Sequence, residues 1–508
     1  DELGIGEADD SQMALRLSEA VLEDLRRPYE EPMHLTEKLA YAKRTGVWKN
    51  AGLLPGGAKD EIFNAIVKTS TNLNSDPMDM LTQCLRLGIS TGIYGLVLVN
   101  RLNDILMGEP ELGFDPVGMR VIDPECINIM VTGHQHSMFG SLTGMMEHPE
   151  IKEMADRAGA RGIRIVGCTC VGQDFQARSR CYEKVFCGHA GNNYSSEAVL
   201  LTGCIDLVVS EFNCSLPGIE PICEELSIPM LCLDDVAKKK GARHLPYHPE
   251  DREDVSVNVI AAAIASYVRR SRAGKRQNPM QDHGCNEAVT GVTERTLKGA
   301  LGGSFAPLID LIAAGSIKGV AAVVGCSNLR AKGHDVFTVE LVKKLIARDI
   351  LVVSAGCTCG GLENCGLMSR DAAGLAGPGL SQVCRSLGIP PVLNFGPCLA
   401  IGRIEAVAGE LAGALGVDLP KLPVVVSAPQ WLEEQALADG AFALALGFHL
   451  HLGLAPFVMG SPVILDVLCN QMEGITGGKL MVETEIDAAA EKIAAVISDK
   501  RRGLGLNE

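Results

Sequence analysis

Seven short apolar runs constrain this chain more than anything else in it. They are "INIMVTG" (127–133), "IRIVGCTC" (163–170), "IDLVVSEFNC" (205–214), "GVAAVVGCS" (319–327), "ILVVSAGC" (350–357), "PPVLNFGPC" (390–398) and "PVVVSAPQW" (423–431). A strand with one wet face alternates apolar and polar residues. A strand that is apolar throughout is covered on both faces, as in a parallel sheet with helices above and below it. Helical spacing between the runs completes the pattern, so the fold class expected is α/β with doubly wound, Rossmann-like parallel sheets. Only 4% of residues are aromatic and 56 are glycine, which suits tightly wound layers better than an all-β sandwich.

Upstream of these runs the texture is helical. "DDSQMALRLSEAVLEDL" (9–25) opens on Asp and Ser and carries Met13, Leu15, Leu17, Ala20, Val21 and Leu25 at three- and four-residue spacing, an amphipathic helix with an N-cap signal. "DEIFNAIVKTSTNLNSD" and "PMDMLTQCLRLGIST" continue in that style. At 508 residues the chain exceeds one ordinary core. The organisation expected is a helical domain over 1–122, a Rossmann-like domain over 123–275 and a second over 276–508, with the functional site between the last two. The basic stretch "RRSRAGKRQNPMQDHG" (269–284) reads as a solvated junction.

A net charge of −16 argues against a nucleic-acid partner, whose usual footprint is a basic face. No signal peptide or clean membrane span is read; the most apolar region, 440–468, is broken by His449, His451, Pro456 and Pro462. The expectation is a cytoplasmic protein, where clustered thiols mean metal or redox chemistry rather than disulfides. The sequence opens on Asp1 and leaves room for a segment upstream.

In a doubly wound sheet the functional crevice lies outside the carboxyl ends of the strands. Metal-ligand residue types stand at six such ends: His134, Cys168 and Cys170, Cys214, Cys326, Cys357 and Cys398. Any one cysteine is readily a small buried hydrophobe, and most of the 18 are read that way. Six donors at one topological position are not. Paired zinc knuckles are absent, and the long separations describe a site assembled by the tertiary fold. Soft thiolates with one imidazole suit iron–sulfur chemistry, and six donors exceed the four a simple cubane needs.

These residues, with "DPMDMLTQCLRLGISTGIYGLVLVNRLNDILMG", "VTGHQHS", "CVGQD", "LTGCIDLVVSEFNC", "SAPQW" and "TGGKLMVET" in this order, resemble the anaerobic nickel–iron carbon monoxide dehydrogenases and, more distantly, the hybrid-cluster proteins. The resemblance implies a homodimer with a helical domain and two Rossmann-like domains. It implies a Ni–Fe–S cluster held by His134, Cys170, Cys214, Cys326, Cys357 and Cys398, interconverting CO and CO2 with an electron carrier such as ferredoxin. The chain departs from that family pattern in three ways. Gln435 stands where the family carries a lysine; Asp439 stands one helical turn later, at a usually apolar position; and the N-terminal cysteine run and proton-relay histidines are missing. Further [4Fe-4S] clusters are expected only if a segment lies upstream. Two alternatives follow. One is a reductase of small nitrogen or oxygen species such as hydroxylamine at an Fe–S–O hybrid cluster. The other is a non-catalytic redox or structural subunit of a larger CO-metabolising complex.

Smaller features read as structural. His136 is assigned a loop hydrogen bond. "GHAGN" (188–192) is read as a turn, and "FHLHLG" as a strand whose His449 and His451 share a face. "TGGKL" lacks the P-loop layout and is read as opening the last strand. "DAAAEKIAAVI" is read as a closing helix.

Overall fold

The computed structural model describes residues 9–70, 73–134, 139–210, 214–234, 238–274 and 284–506; His136 lies outside them. The strands, in chain order, are β1 (Gly113–Pro116), β2 (Ile127–Thr132), β3 (Ile163–Cys168), β4 (Phe186–Gly191), β5 (Leu207–Ser210), β6 (Met230–Cys232), β7 (Arg243–His244), β8 (Glu287–Thr290), β9 (Gly319–Val324), β10 (Ile350–Ala355), β11 (Val392–Asn394), β12 (Val424–Ala428), β13 (His449–Leu452) and β14 (Leu480–Val482).

Twelve of them form two six-stranded sheets, ordered β4-β3-β2-β5-β6-β7 and β11-β10-β9-β12-β13-β14. Every pairing within them is parallel. Counted from its own first strand, each sheet runs 3-2-1-4-5-6, the Rossmann order. The apolar runs explain both. In the first sheet, Ile127, Ile129, Val131, Leu207 and Val209 face one core, and Met130, Val166 and Val208 face another on the opposite side. Both faces are dry, and helices cover each.

The N-terminal helices share a core with the second sheet, where Leu17, Met33, Trp48 and Leu81 join Val323, Val352 and Val425. The longest helical segment, Pro77–Met107, is the one helix among the described residues with the length and apolarity to cross a membrane, and most of it is buried inside the protein. Asp76 caps it by accepting from the amides of Met78 and Asp79, with Pro77 in the first turn. Its middle, Thr91–Leu98, relaxes into a π-helix. This segment touches the functional region twice. Gly88 sits where a Cβ would fall 2.7 Å from the Cβ of Ala441 in the helix Glu434–Ala445. Gly402, just past Cys398, sits where a Cβ would fall 2.8 Å from the amide of Val97.

Two local expectations are corrected. The segment before residue 122 is not wholly helical, because β1 pairs antiparallel with β8, Gly113 opposite Thr290 and Pro116 opposite Glu287. Four residues are too short to display a strand period, and the partner lies far along the chain. "GHAGN" is not a turn; it lies mostly in β4, the edge strand of the first sheet. Its glycines imitate a turn because β4 meets β3 through register shifts, with Gly188 at φ +136°.

Candidate metal centre

All six predicted donors stand past the carboxyl end of a strand. His134 follows β2, Cys170 follows β3 and Cys214 follows β5 on the first sheet; Cys326 follows β9, Cys357 follows β10 and Cys398 follows β11 on the second. His134 and Cys214 flank the switch point between the first and fourth strands of their sheet, where a doubly wound fold opens its crevice.

The five cysteines are buried and converge across the two sheets. The amide of Cys398 donates to Sγ of Cys170 at 3.3 Å. Gly356 leaves no room for a side chain, since its Cβ would fall 2.6 Å from Sγ of Cys398. Contact with Cys398, then burial, then the charges of Cys357 and Cys214 hold the Cys170 thiol well above its ordinary value. Burial, with Cys357, Cys326 and Cys398 nearby, does the same to Cys214. Burial, with Cys398 and Cys326, raises Cys357. Burial, with Cys398, pushes Cys326 up to about 12. Each thiol therefore raises another's cost of ionising, which places their sulfurs around one volume. The residue before His134 ties its loop to the turn that carries Cys170. Gly133 donates to Oγ1 of Thr169 at 2.8 Å, and its carbonyl accepts from Val171 at 2.9 Å, clasping the loop against the turn that carries Cys170.

The surroundings favour thiolates over thiols once a cation arrives. Amides of Leu432 and Glu433 are directed at Cys326, and the amide of Asn193 at Cys357, each favouring the ionised sulfur. Leu432 and Glu433 enter the helix Glu434–Ala445, so Cys326 also faces a positive helix end. The carboxyls of Glu433 and Asp335 push the other way on Cys326 and Cys357, and burial holds the ammonium of Lys239, which faces Cys214, below its ordinary value. Five buried sulfurs with so little positive charge about them suit a polycationic inorganic core. Among the described residues no three His, Cys, Asp or Glu side chains gather tightly enough for a single ion. Donors spread around a volume fit a polynuclear cluster, whose ligands sit on different metal atoms.

Backbone strain marks the same place. Thr169, next to Cys170, has φ +54°, and Cys214 itself has φ +51°. Non-glycine residues held there cost about 1–3 kcal/mol each and persist where the surrounding structure fixes them, often at functional sites.

The two further predicted residues lie on the helix Glu434–Ala445. Nε2 of Gln435 donates to Oδ1 of Asp439 at 2.8 Å. Burial pushes Asp439 up to about 7, against the pull of that bond. Asp439 and Glu405, which burial also raises to about 7, line an apolar cavity of about 60 Å³ walled by Val324, Gly325, Ala428 and Phe442. It adjoins the strand end that carries Cys326.

Sequence reasoning missed the polar groups that hold the two sheets together. His189, at the end of β4, meets Glu363 through Nδ1···Oε1 at 2.5 Å with both side chains fully buried. Oε2 of Glu363 accepts from Gln176 at 3.1 Å and Asn394 at 3.2 Å. The available signal was Glu363 itself, a carboxylate in the apolar helix that starts at Cys357. His451 is an interior histidine satisfied by Ser427 at 2.8 Å and the carbonyl of Glu483 at 3.0 Å.

A family model described as the Prismane/CO dehydrogenase family matches residues 1–487. A carbon monoxide dehydrogenase of Methanocaldococcus jannaschii is 45% identical over 498 residues, covering 98% of this chain and 79% of that protein. One from Methanopyrus kandleri is 44% identical over 500 residues, covering 97% and 78%. Among solved structures, the Ni-free carbon monoxide dehydrogenase from Thermococcus sp. AM4 has a TM-score of 0.93 at 32% identity, covering 100% of this chain and 79% of that one. Carbon monoxide dehydrogenase IV from Carboxydothermus hydrogenoformans has a TM-score of 0.93 at 31% identity, covering 99% and 80%.

Proposed function

This chain belongs to the Prismane/CO dehydrogenase family, and from that premise we propose that it interconverts CO and CO2 at a Ni–Fe–S cluster held by His134, Cys170, Cys214, Cys326, Cys357 and Cys398. It is a carbon-monoxide-dehydrogenase-like oxidoreductase; the reaction and the ligand set are the proposal. The observation that carries it is the convergence of five buried thiols from five strand ends of two facing sheets. When bound, such a cluster supplies the redox and Lewis-acid chemistry for CO + H2O ⇌ CO2 + 2 H⁺ + 2 e⁻.

The chain's own residues do the rest. The amides of Asn193, Leu432, Glu433 and Cys398, directed at sulfur, hold thiolate charge and tune the potential. The cavity beside Cys326, walled mostly by apolar side chains, offers room for a small gas molecule. Gln435 offers an amide donor in place of the family's charged one, and Asp439 draws that donor to itself. The proposal includes the division at residues 122 and 275, a homodimer, possible membership of a larger complex, a ferredoxin-like electron carrier, and [4Fe-4S] clusters should a segment lie upstream. The relatives reported above are carbon monoxide dehydrogenases, so they favour this reading over hydroxylamine reduction and over a structural subunit.

Anaerobically purified protein should contain nickel near one per chain together with iron, and should reduce viologen under CO. Iron without nickel, with turnover of hydroxylamine instead, would overturn the proposal. Turnover of neither substrate by nickel-loaded protein would leave the structural subunit.

A further inference from the structure

The amino ends of the second sheet carry a different kind of site. Where β13 and β14 begin, a pocket of about 540 Å³ opens on the side away from the metal centre. Lys421, Lys479, Lys500 and His449 line it. "TGGKL" does open β14, as expected, but it also delivers Lys479 to this wall.

The charge balance there is unusual. Of the pocket's acids, Asp418 is bound to Arg44 and Asp499 to Arg502. That leaves Glu473, more than half exposed, whose Oε1 stands 4.0 Å from Nε2 of His449. Among the described residues no carboxylate forms an ion pair with Lys421, Lys479 or Lys500; Lys500 donates only to the carbonyl of Val424, at 3.1 Å. Burial, with Lys421 nearby, brings the Lys500 ammonium down to about 8 despite Glu473. Burial, with Lys500 and Lys479 nearby, holds His449 at about 4. Three ammonium groups thus repel one another within one concavity, beside a neutral His449, on a chain whose net charge is −16. His449 is 6% exposed, and among the described residues its Nδ1 has no hydrogen-bond partner.

We propose that this pocket binds a phosphate dianion, either free or as the end of a small phosphomonoester. Two negative charges and several acceptor oxygens satisfy three ammonium groups better than a monoanion does. The volume exceeds that of inorganic phosphate, and Val47, Pro420 and Val496 line the remainder with apolar surface suited to an organic substituent.

The test is calorimetric titration of the metal-loaded protein in chloride buffer with inorganic phosphate and, separately, glycerol 2-phosphate. Saturable binding of at least one probe, one per chain, is expected. Lys421→Gln and Lys479→Gln, both outside the metal centre, should each weaken it at least tenfold. Equal affinity for the two probes assigns free phosphate; tighter binding of the ester assigns a phosphomonoester. Each variant without ligand should melt at or above the parent temperature, because it relieves repulsion; a lysine with a purely structural role would lower it. Absence of saturable binding by either probe, or binding indifferent to both substitutions, overturns the proposal.

Discussion

Placing a lysine at position 435 tests how the protein handles charge at the proposed metal centre. The simple expectation is that Gln435→Lys supplies the missing cation and raises CO turnover. The structure predicts otherwise, because the donor at 435 already points at Asp439, 2.8 Å away. An ammonium near 3 Å from that carboxylate would gain roughly 5 kcal/mol of attraction at an effective dielectric of about 20. That corresponds to about 4 pKa units, since one unit is about 1.4 kcal/mol. Asp439, held by burial at about 7, would then be fully ionised at neutral pH. The new charge and the new countercharge cancel. Gln435→Lys alone should therefore change turnover by no more than a few-fold, as should Asp439→Leu alone.

The two together leave an uncompensated ammonium, and a donor aimed at developing negative charge is worth about 10²–10³ in rate. The assay is viologen-linked CO oxidation, with nickel and iron measured in each variant so that rates are compared per loaded centre. The reasoning fails if Gln435→Lys alone gives the full increase, or if the double variant is no faster than the better single one.

Three further outcomes follow from the geometry. Glu405 has a folded pKa of about 7, above its ordinary 4.5, so the unfolded chain ionises first as pH rises. Stability should be lost progressively between about pH 4.5 and 7, by about 3 kcal/mol at most, and denaturant unfolding should show Glu405→Gln gaining that amount at pH 8 and nothing at pH 4. Cys357→Ser and Cys398→Ser should each lower the iron and nickel content of anaerobically purified protein. Cys384→Ser, at a buried helical cysteine away from the site, should leave the metal content unchanged. Gly88→Ala would place a methyl 2.7 Å from Ala441 Cβ, well inside carbon contact distance. Overpacking of about 1–3 kcal/mol outweighs a helix-propensity gain of about 1 kcal/mol, so the melting temperature should fall; an unchanged value would mean the helices are not packed this closely.

What was legible in the chain follows from what is local. Runs such as "GVAAVVG" and "ILVVSAG" state their own burial on both faces, so the α/β class and the strand-end placement of all six donors could be read directly. The amphipathic helix Asp10–Leu25 and the closing helix Ile486–Gly503 announced themselves by period and composition. β1 did not, because a four-residue strand is defined by its partner rather than by its own pattern. β4 was hidden by glycines that serve a bulge. The pairing of His189 with Glu363 was illegible for a related reason: a carboxylate in an apolar helix signals a buried partner, but which distant residue meets it appears only in the fold. Gln435 and Asp439 could be singled out as departures from a pattern, but their hydrogen bond, which decides what each can do, appears only in the fold.

The way these distant positions pair bears on how the metal centre forms. The proposed ligands divide evenly, three on each sheet, so the site exists only while the two sheets stay docked. Residues adjoining the ligands supply that docking directly. Gln173, three positions past Cys170, donates to the carbonyl of Gly356 at 2.6 Å, next to Cys357. Asn192 reaches Asp335 at 2.9 Å and the carbonyl of Cys357 at 3.3 Å. Asn193 reaches the carbonyl of Ser327, next to Cys326, at 3.0 Å. With His189–Glu363, these buried contacts fix the relative position of the donors through protein atoms alone, and each would leave an unsatisfied group if the sheets parted. A small zinc domain gains its fold from its metal. Here the contacts between the sheets run through buried side chains and backbone carbonyls, so protein atoms share with any bound cluster the work of holding the donors together.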